Sequence, residues 1–190
     1  MGRPRNFDMD VAEAELLDVF WSKGFEGSSV RDLCAATGQR TASLYAAFGD
    51  KDQMFLTALQ RYERWIAEQL TPARDGRGGV EHVLKTTCAL TIADQDRRGC
   101  LIINSVAERE NLSTEANAAI NKTFDRLRDL VGRQIAATFE SEPPQGAQAM
   151  VDLLAGATIA IRLLGRAGAA DHQLQSIAEG GIEAFRSWAA

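Results

Sequence analysis

Cys100 stands directly after Arg97, Arg98 and Gly99 and begins the run CLIINSVAE. A thiol at the start of a helix, beside two guanidinium groups, is biased toward the thiolate, its reactive form. Free cysteine is also a common small buried hydrophobe, so packing is the second reading of the same residue. Little else has the spacing of a reaction centre. His82 and His172 are far apart, and no H-E-x-x-H pair, phosphate-cradling G-x-x-x-x-G-K-[ST] loop or G-x-S-x-G elbow occurs. Cys34, Cys88 and Cys100 form an odd, widely spaced set that suits neither a disulfide framework nor a zinc site. The chain reads as a non-enzyme without cofactor or metal; a small α-helical enzyme is the alternative.

A second group of residues suits recognition. Gln39, Arg40, Thr41, Ser43 and Tyr45 follow one another within a few positions, and these types bond to base edges and phosphates. The net charge of -5 argues against coating nucleic acid by bulk charge, so any contact is local. A protein-binding adaptor would leave this polar face without a purpose.

The elements that position these groups are helices. With 190 residues, 45% of them hydrophobic and only four prolines, the chain can bury a large core, and its long stretches use residues that lose little entropy in a helix. No strand alternation persists. The expected order begins with a helix capped by Asp10 and stopped near Gly24, then two short pieces. One starts after Ser28 or Ser29 and ends at Gly38; the other runs from Thr41 to Phe48. Asp50 caps a long helix to Leu70, and Pro72 with RDGRGG marks the best internal break. Further helices are expected over 80–94, 101–109, 114–139, 147–167 and 173–188, about nine in all.

Helices as short as the pair within 28–48 are marginal alone. Joined through Gly38, they match a helix-turn-helix, whose second helix enters the major groove. Val30, Leu33, Cys34, Leu44 and Phe48 would be its small core, each helix holding the other. Arg3 and Arg5 precede the first helix, where an arm would reach the adjacent minor groove unless its charges are merely solvated.

Together, AELLDVFWSKGFEGSSV and SSVRDLCAATGQRTASLYAAFGDKDQMF resemble the TetR family of bacterial transcriptional regulators, specifically over residues 9–60. The resemblance implies an all-α protein: a three-helix helix-turn-helix domain at 1–50, extending into the helix at 51–70, then a helical effector-binding and dimerisation domain at 51–190. It implies phosphate contacts from Tyr45 and Lys51, a groove-facing Thr41 and Ser43, and base discrimination by Gln39 and Arg40. Ser29, the Ser-type cap, joins the DNA-facing set. Gln39 stands where the family more often has an apolar residue, so it either faces DNA or caps the turn.

The helix over 147–167 is too apolar to stay uncovered. By the same resemblance it pairs with the last helix as the interface of a homodimer, the alternative being packing inside a monomer. The middle helices would enclose an unidentified small-molecule or electrophilic effector. Cys100 leads the candidates, because its GCL run is similar to that of family members that respond to electrophiles or oxidants. Trp65, Cys88, Ile103, Asn104 and Phe124 follow. The expected activity is that of a regulator of double-stranded operator DNA, more often a repressor in this family. Without a stretch of eighteen apolar residues or the apolar core of a signal peptide, the expectation is a cytoplasmic protein that does not enter the membrane.

Overall fold

A computed structural model describes residues 8–73 and 75–190; Arg3 and Arg5 lie outside them. The described residues form α1 (Met9–Lys23), α2 (Val30–Thr37), α3 (Thr41–Phe48), α4 (Lys51–Leu70), α5 (Arg77–Ala93) and α6 (Leu101–Ser105). A 3-10 turn (Val106–Asn111), α7 (Thr114–Ala136), α8 (Ala147–Arg166) and α9 (Asp171–Trp188) follow. No strand occurs among the described residues, and the fold is all-α.

Local chemistry sets the ends of the short helices. Ser29 Oγ accepts from the Asp32 amide at 3.1 Å, and the Asp32 carboxylate accepts from the Ser29 amide at 2.9 Å, a reciprocal capping box. Lys23 Nζ donates to Asp32 at 2.6 Å. The Lys23 ammonium, with help from Ser29, holds the Asp32 carboxyl well below the usual carboxylate range. α2 stops at Gly38, where φ is +64°, a left-handed conformation that is easy only for glycine. At Asp50 the carboxylate accepts from the Gln53 amide at 3.0 Å and starts α4.

α2 is carried mainly by α1, while α3 is held by α2 and α4 together. α1 packs along α4, and α2 leans chiefly on α1. Leu16, Phe20, Phe55, Leu59 and Tyr62 are buried between them, with Phe55 against the rings of Phe20 and Phe25 at 5.1 Å. Leu33, Leu44 and Phe48 join this core. Val30 and Cys34, expected there, are only half-buried.

Several boundaries differ from expectation for local reasons. Asp8, not Asp10, caps α1, accepting from the amides of Asp10 and Val11, while Asp10 extends to Arg61. α5 already begins at Arg77 within the glycine-rich break; a Cβ at Gly79 would lie 1.8 Å from Gln134 Oε1, so that glycine seats α5 on α7. The segment expected as one helix over 101–109 is a five-residue α6 that tightens into the 3-10 turn.

Two apolar clusters share the molecule. The first joins α1 to α4 with Leu101, Ile102, Leu112, Ala116 and Ile120. The second is built by the end of α4 with α5, α7, α8 and α9. By length and composition α8 could cross a membrane. Here it packs against α5, α7 and α9 and carries the buried Arg162.

The first cluster is tied to the rest by Glu108, whose carboxylate accepts from the amides of Phe25 at 2.9 Å and Glu26 at 3.0 Å. Gly24, at φ +76°, leaves room for it: a Cβ there would sit 2.9 Å from both Glu108 oxygens. In urea denaturation, Ser29→Ala is expected to lose about 1 kcal/mol through its cap. Gly24→Ala is expected to lose about 1–3 kcal/mol through backbone strain alone; unchanged midpoints would contradict both assignments.

Candidate nucleic-acid interface and buried cavity

α3 turns Leu44 and Phe48 inward and leaves Thr41, Ala42, Tyr45, Ala46 and Ala47 exposed, with Ser43 half-buried. Tyr45 is 43% exposed. Arg40, at the N-cap position, makes no side-chain cap bond, and neither it nor Arg31 has an ion pair among the described residues. Gln39 Nε2 donates to the Thr37 carbonyl at 3.3 Å, so its amide closes the turn. Thr41 Oγ1 lies 3.4 Å from Cys34 Sγ. Lys51 Nζ sits 4.3 Å from the centre of the Phe25 ring, a cation–π contact at the start of α4. The Ser29 hydroxyl is occupied by the capping box.

Much of the head's negative charge is neutralised elsewhere. Asp10 pairs with Arg61 at 2.6 Å, Glu13 with Arg61 and Arg64 at 3.5 Å, and Asp18 with Arg98 at 2.7 Å. The Arg61 guanidinium lowers the Asp10 carboxyl's pKa. The α3 face therefore offers guanidinium, hydroxyl and phenol groups beside small alanines that permit close approach.

A cavity of about 380 Å³ lies among α4, α5, α6, α7 and α8. Its walls are mostly apolar, with Ile66, Leu70, Ile102, Ile103, Phe124 and Leu127 prominent. Tyr62, Thr87, Thr158 and Arg162 supply buried polar groups; Glu63, Arg126, Asp129 and Arg133 also line it. Glu63 is bonded to Arg126 and Thr123.

Arg162 donates through Nη2 to the Gly99 carbonyl at 2.7 Å and to the Tyr62 hydroxyl at 3.0 Å. Through Nη1 it donates to Thr91 Oγ1 at 3.3 Å. Its Nε is buried without a partner. Burial, then the neighbouring Cys100, pushes the Tyr62 hydroxyl's pKa well up, so it stays protonated. The Gly99 carbonyl also accepts from Trp21 Nε1 at 3.2 Å, placing α1 and the cavity on one oxygen.

Cys100 lines this cavity half-buried, but the guanidinium groups expected beside it point away. Arg97 pairs with Asp171 at 2.8 Å. Arg98 binds Asp18 and Asp94 and covers the Trp21 ring. Arg162 lines the same cavity, and a five-residue α6 adds little dipole. Ile103 and Phe124 line the cavity as well.

Trp65, Cys88 and Asn104 do not line it. Trp65 stacks on Trp21 and Tyr62 at 5.7 Å. Asn104 Nδ2 donates to the Arg98 carbonyl at 2.8 Å. Cys88 is buried in the second cluster, and burial, then Asp171 and Glu179, raises its thiol's pKa. Tyr62, Thr87, Thr158 and Arg162 escaped the reading of the sequence. The available signal was Arg162 itself, the one charge inside IAIRLLG.

Comparison with known proteins brings both sites into one frame. Residues 14–58 match the family profile of bacterial regulatory proteins, tetR family. The HTH-type transcriptional repressor ComR of Escherichia coli (strain K12) is 34% identical over 109 residues, 55% of this chain and 52% of ComR, so that alignment spans about half of the relative. The HTH-type transcriptional repressor BdcR of the same strain is 26% identical over 191 residues, 98% of this chain and 93% of BdcR. A cysteine mutant of the TetR family transcriptional regulator CifR, solved with 26-bp double-strand operator DNA, is 30% identical. That comparison covers 98% of this chain and 100% of the CifR chain, with a TM-score of 0.68.

Exposure separates the thiols. Iodoacetamide on the folded protein, followed by peptide mass spectrometry, is expected to label half-buried Cys34 and Cys100 first and Cys88 only on unfolding. Equal labelling of Cys88 in native buffer would contradict its placement.

Proposed function

The chain belongs to the TetR family of bacterial transcriptional regulators, a DNA-binding family without enzymatic activity, and from that premise we propose an operator-bound repressor acting in the cytoplasm. Two copies read two half-sites through α3, and an effector in the cavity releases them. The observation that carries this reading is the exposed face of α3, where Arg40 lacks an ion-pair partner among the described residues and Tyr45 is 43% exposed. Arg40 reads a base, Tyr45 and Lys51 hold phosphates, and Thr41 and Ser43 lie on the groove side. Gln39, engaged with Thr37, stiffens the turn, and Ser29 fixes the start of α2. Residues 1–50 carry recognition and 51–190 carry sensing and dimerisation, with α4 shared between them.

The second copy docks on α8 and α9. Leu153 and Leu163 are each 51% exposed and Leu164 is 40% exposed along α8, while Gly156 and Gly180 carry no side chain and have open space before them. A single half-site reader binds weakly, and helix-turn-helix dimers read sites one helical turn apart. The operator DNA solved with CifR is 26 bp long, enough for two such half-sites.

Release couples the cavity to the heads. An effector that binds one dimer geometry better shifts the population toward it, and modification of the Cys100 thiol by an electrophile is a second trigger at the same wall. The Gly99 carbonyl and the Glu108 carboxylate are the contacts through which the heads follow.

Gel shift with the promoter beside the encoding gene tests the reading. Arg40→Ala and Tyr45→Ala are each expected to weaken binding about tenfold without loss of the dimer, and Cys100→Ser to abolish release by electrophiles only. Leu163→Glu with Leu164→Glu is expected to sediment as a monomer. A wild-type chain that ignores the duplex in low salt overturns the proposal.

A further inference from the structure

Arg162 is the only charged side chain among the buried described residues, 4% exposed. Burying a guanidinium is costly unless a counter-charge and full hydrogen bonding offset it. Its three acceptors, the Gly99 carbonyl, the Tyr62 hydroxyl and Thr91 Oγ1, are all neutral. No carboxylate of a described residue lies within ion-pair distance of it. Five N–H donors meet three acceptors, and Nε meets none.

The surrounding hydroxyls are already committed. Thr87 Oγ1 donates to the Val83 carbonyl and Thr158 Oγ1 to the Leu154 carbonyl, and Thr91 Oγ1 donates to the Thr87 carbonyl. None offers the cation an anionic partner. Tyr62 accepts from Arg162, and its own hydroxyl, held protonated by burial, faces the Cys100 thiol. The cavity end at Arg162 thus holds an unsatisfied donor that carries full positive charge, beside the Tyr62 hydroxyl and a space otherwise walled by Ile66, Ile103, Phe124 and Leu127.

A purely apolar occupant would leave the Nε–H unsatisfied and the charge without an ion-pair partner, the Asp94 carboxylate acting on it only from beyond that distance. Water would satisfy the donor and leave the charge. An anionic oxygen does both, through a charge-assisted hydrogen bond that is strong in a site shielded from solvent. Carrying that oxygen on an apolar body also fills the rest of the cavity.

We propose that the cavity binds an amphipathic monocarboxylic acid, its carboxylate on Arg162 and its hydrocarbon body against Ile66, Ile103, Phe124 and Leu127. The assignment rests on reading this cavity as the effector site and adds the chemical class of the effector. Arg162 Nη2 also holds Gly99, which holds Trp21 of α1. A carboxylate taking up the Nε–H pulls on the same guanidinium whose Nη2 holds Gly99, and the head feels the movement.

Octanoate, 1-octanol and octylamine, equal in chain length and different in head group, are the probes. Calorimetry on the full-length protein measures binding, and fluorescence anisotropy of labelled operator measures release. Octanoate is expected to bind at least tenfold more tightly than 1-octanol, with octylamine weakest, and to release the operator. Arg162→Met is expected to bring the octanoate to octanol ratio near one while octanol still binds, which shows that the variant is folded; Arg162→Lys retains part of the preference.

Equal or tighter binding of 1-octanol, or no binding of octanoate at millimolar concentration, overturns the carboxylate assignment. In the first case the cavity reading survives. Tight octanoate binding with the operator still held keeps the carboxylate site and overturns the effector reading.

Discussion

Gly99 presents one carbonyl oxygen to two donors from opposite parts of the molecule, Trp21 Nε1 at 3.2 Å and Arg162 Nη2 at 2.7 Å. A carbonyl has two lone pairs, and here the head takes one and the cavity takes the other. Arg162 in turn holds α4 through Tyr62 and α5 through Thr91. Any change at the guanidinium therefore reaches α1 through a single intervening atom. The loop bearing Gly99 has no independent freedom, since Arg98 pairs with Asp18 of α1 and Asp94 at the end of α5 and Arg166 Nη1 donates to the Arg98 carbonyl at 2.8 Å.

The same constraint explains how eight-residue helices can present a recognition surface. Isolated, they would not persist. They are placed by α1 and α4, and α1 is fixed from the far side by the Gly99 carbonyl and by Glu108 on the amides of Phe25 and Glu26. Orientation of α3 thus depends on residues some fifty to seventy positions away in the chain, which is what a regulator needs if occupancy of a cavity is to change how DNA is read.

The sequence was informative wherever a structural decision is local. Gly38, Gly49 and Asp50 each act within four residues, and the limits of α3 and α4 follow from them. The capping box at Ser29 and Asp32 marks α2 in the same way. Asp8 and Asp10 are both good caps for α1, and only the pairing of the second with Arg61, fifty-one positions on, leaves the cap to the first. Apolar spacing showed that Trp65, Cys88 and Phe124 face inward, but it cannot say which interior space a residue meets. Phe124 reaches the cavity, Trp65 reaches Trp21, and Cys88 reaches the second core. Arg97 and Arg98 adjoin Cys100 in sequence yet pair elsewhere, while Arg162, sixty-two positions beyond, lines the same cavity. Long-range pairing of this kind leaves no local pattern.

The shared oxygen is tested most directly by a double-mutant cycle of Trp21→Phe and Arg162→Met, read as operator dissociation constants. Donors sharing one acceptor are energetically coupled, so the double variant should depart from the product of the single effects by at least about threefold. Effects that simply multiply would show that head and cavity are connected by some route other than the Gly99 carbonyl.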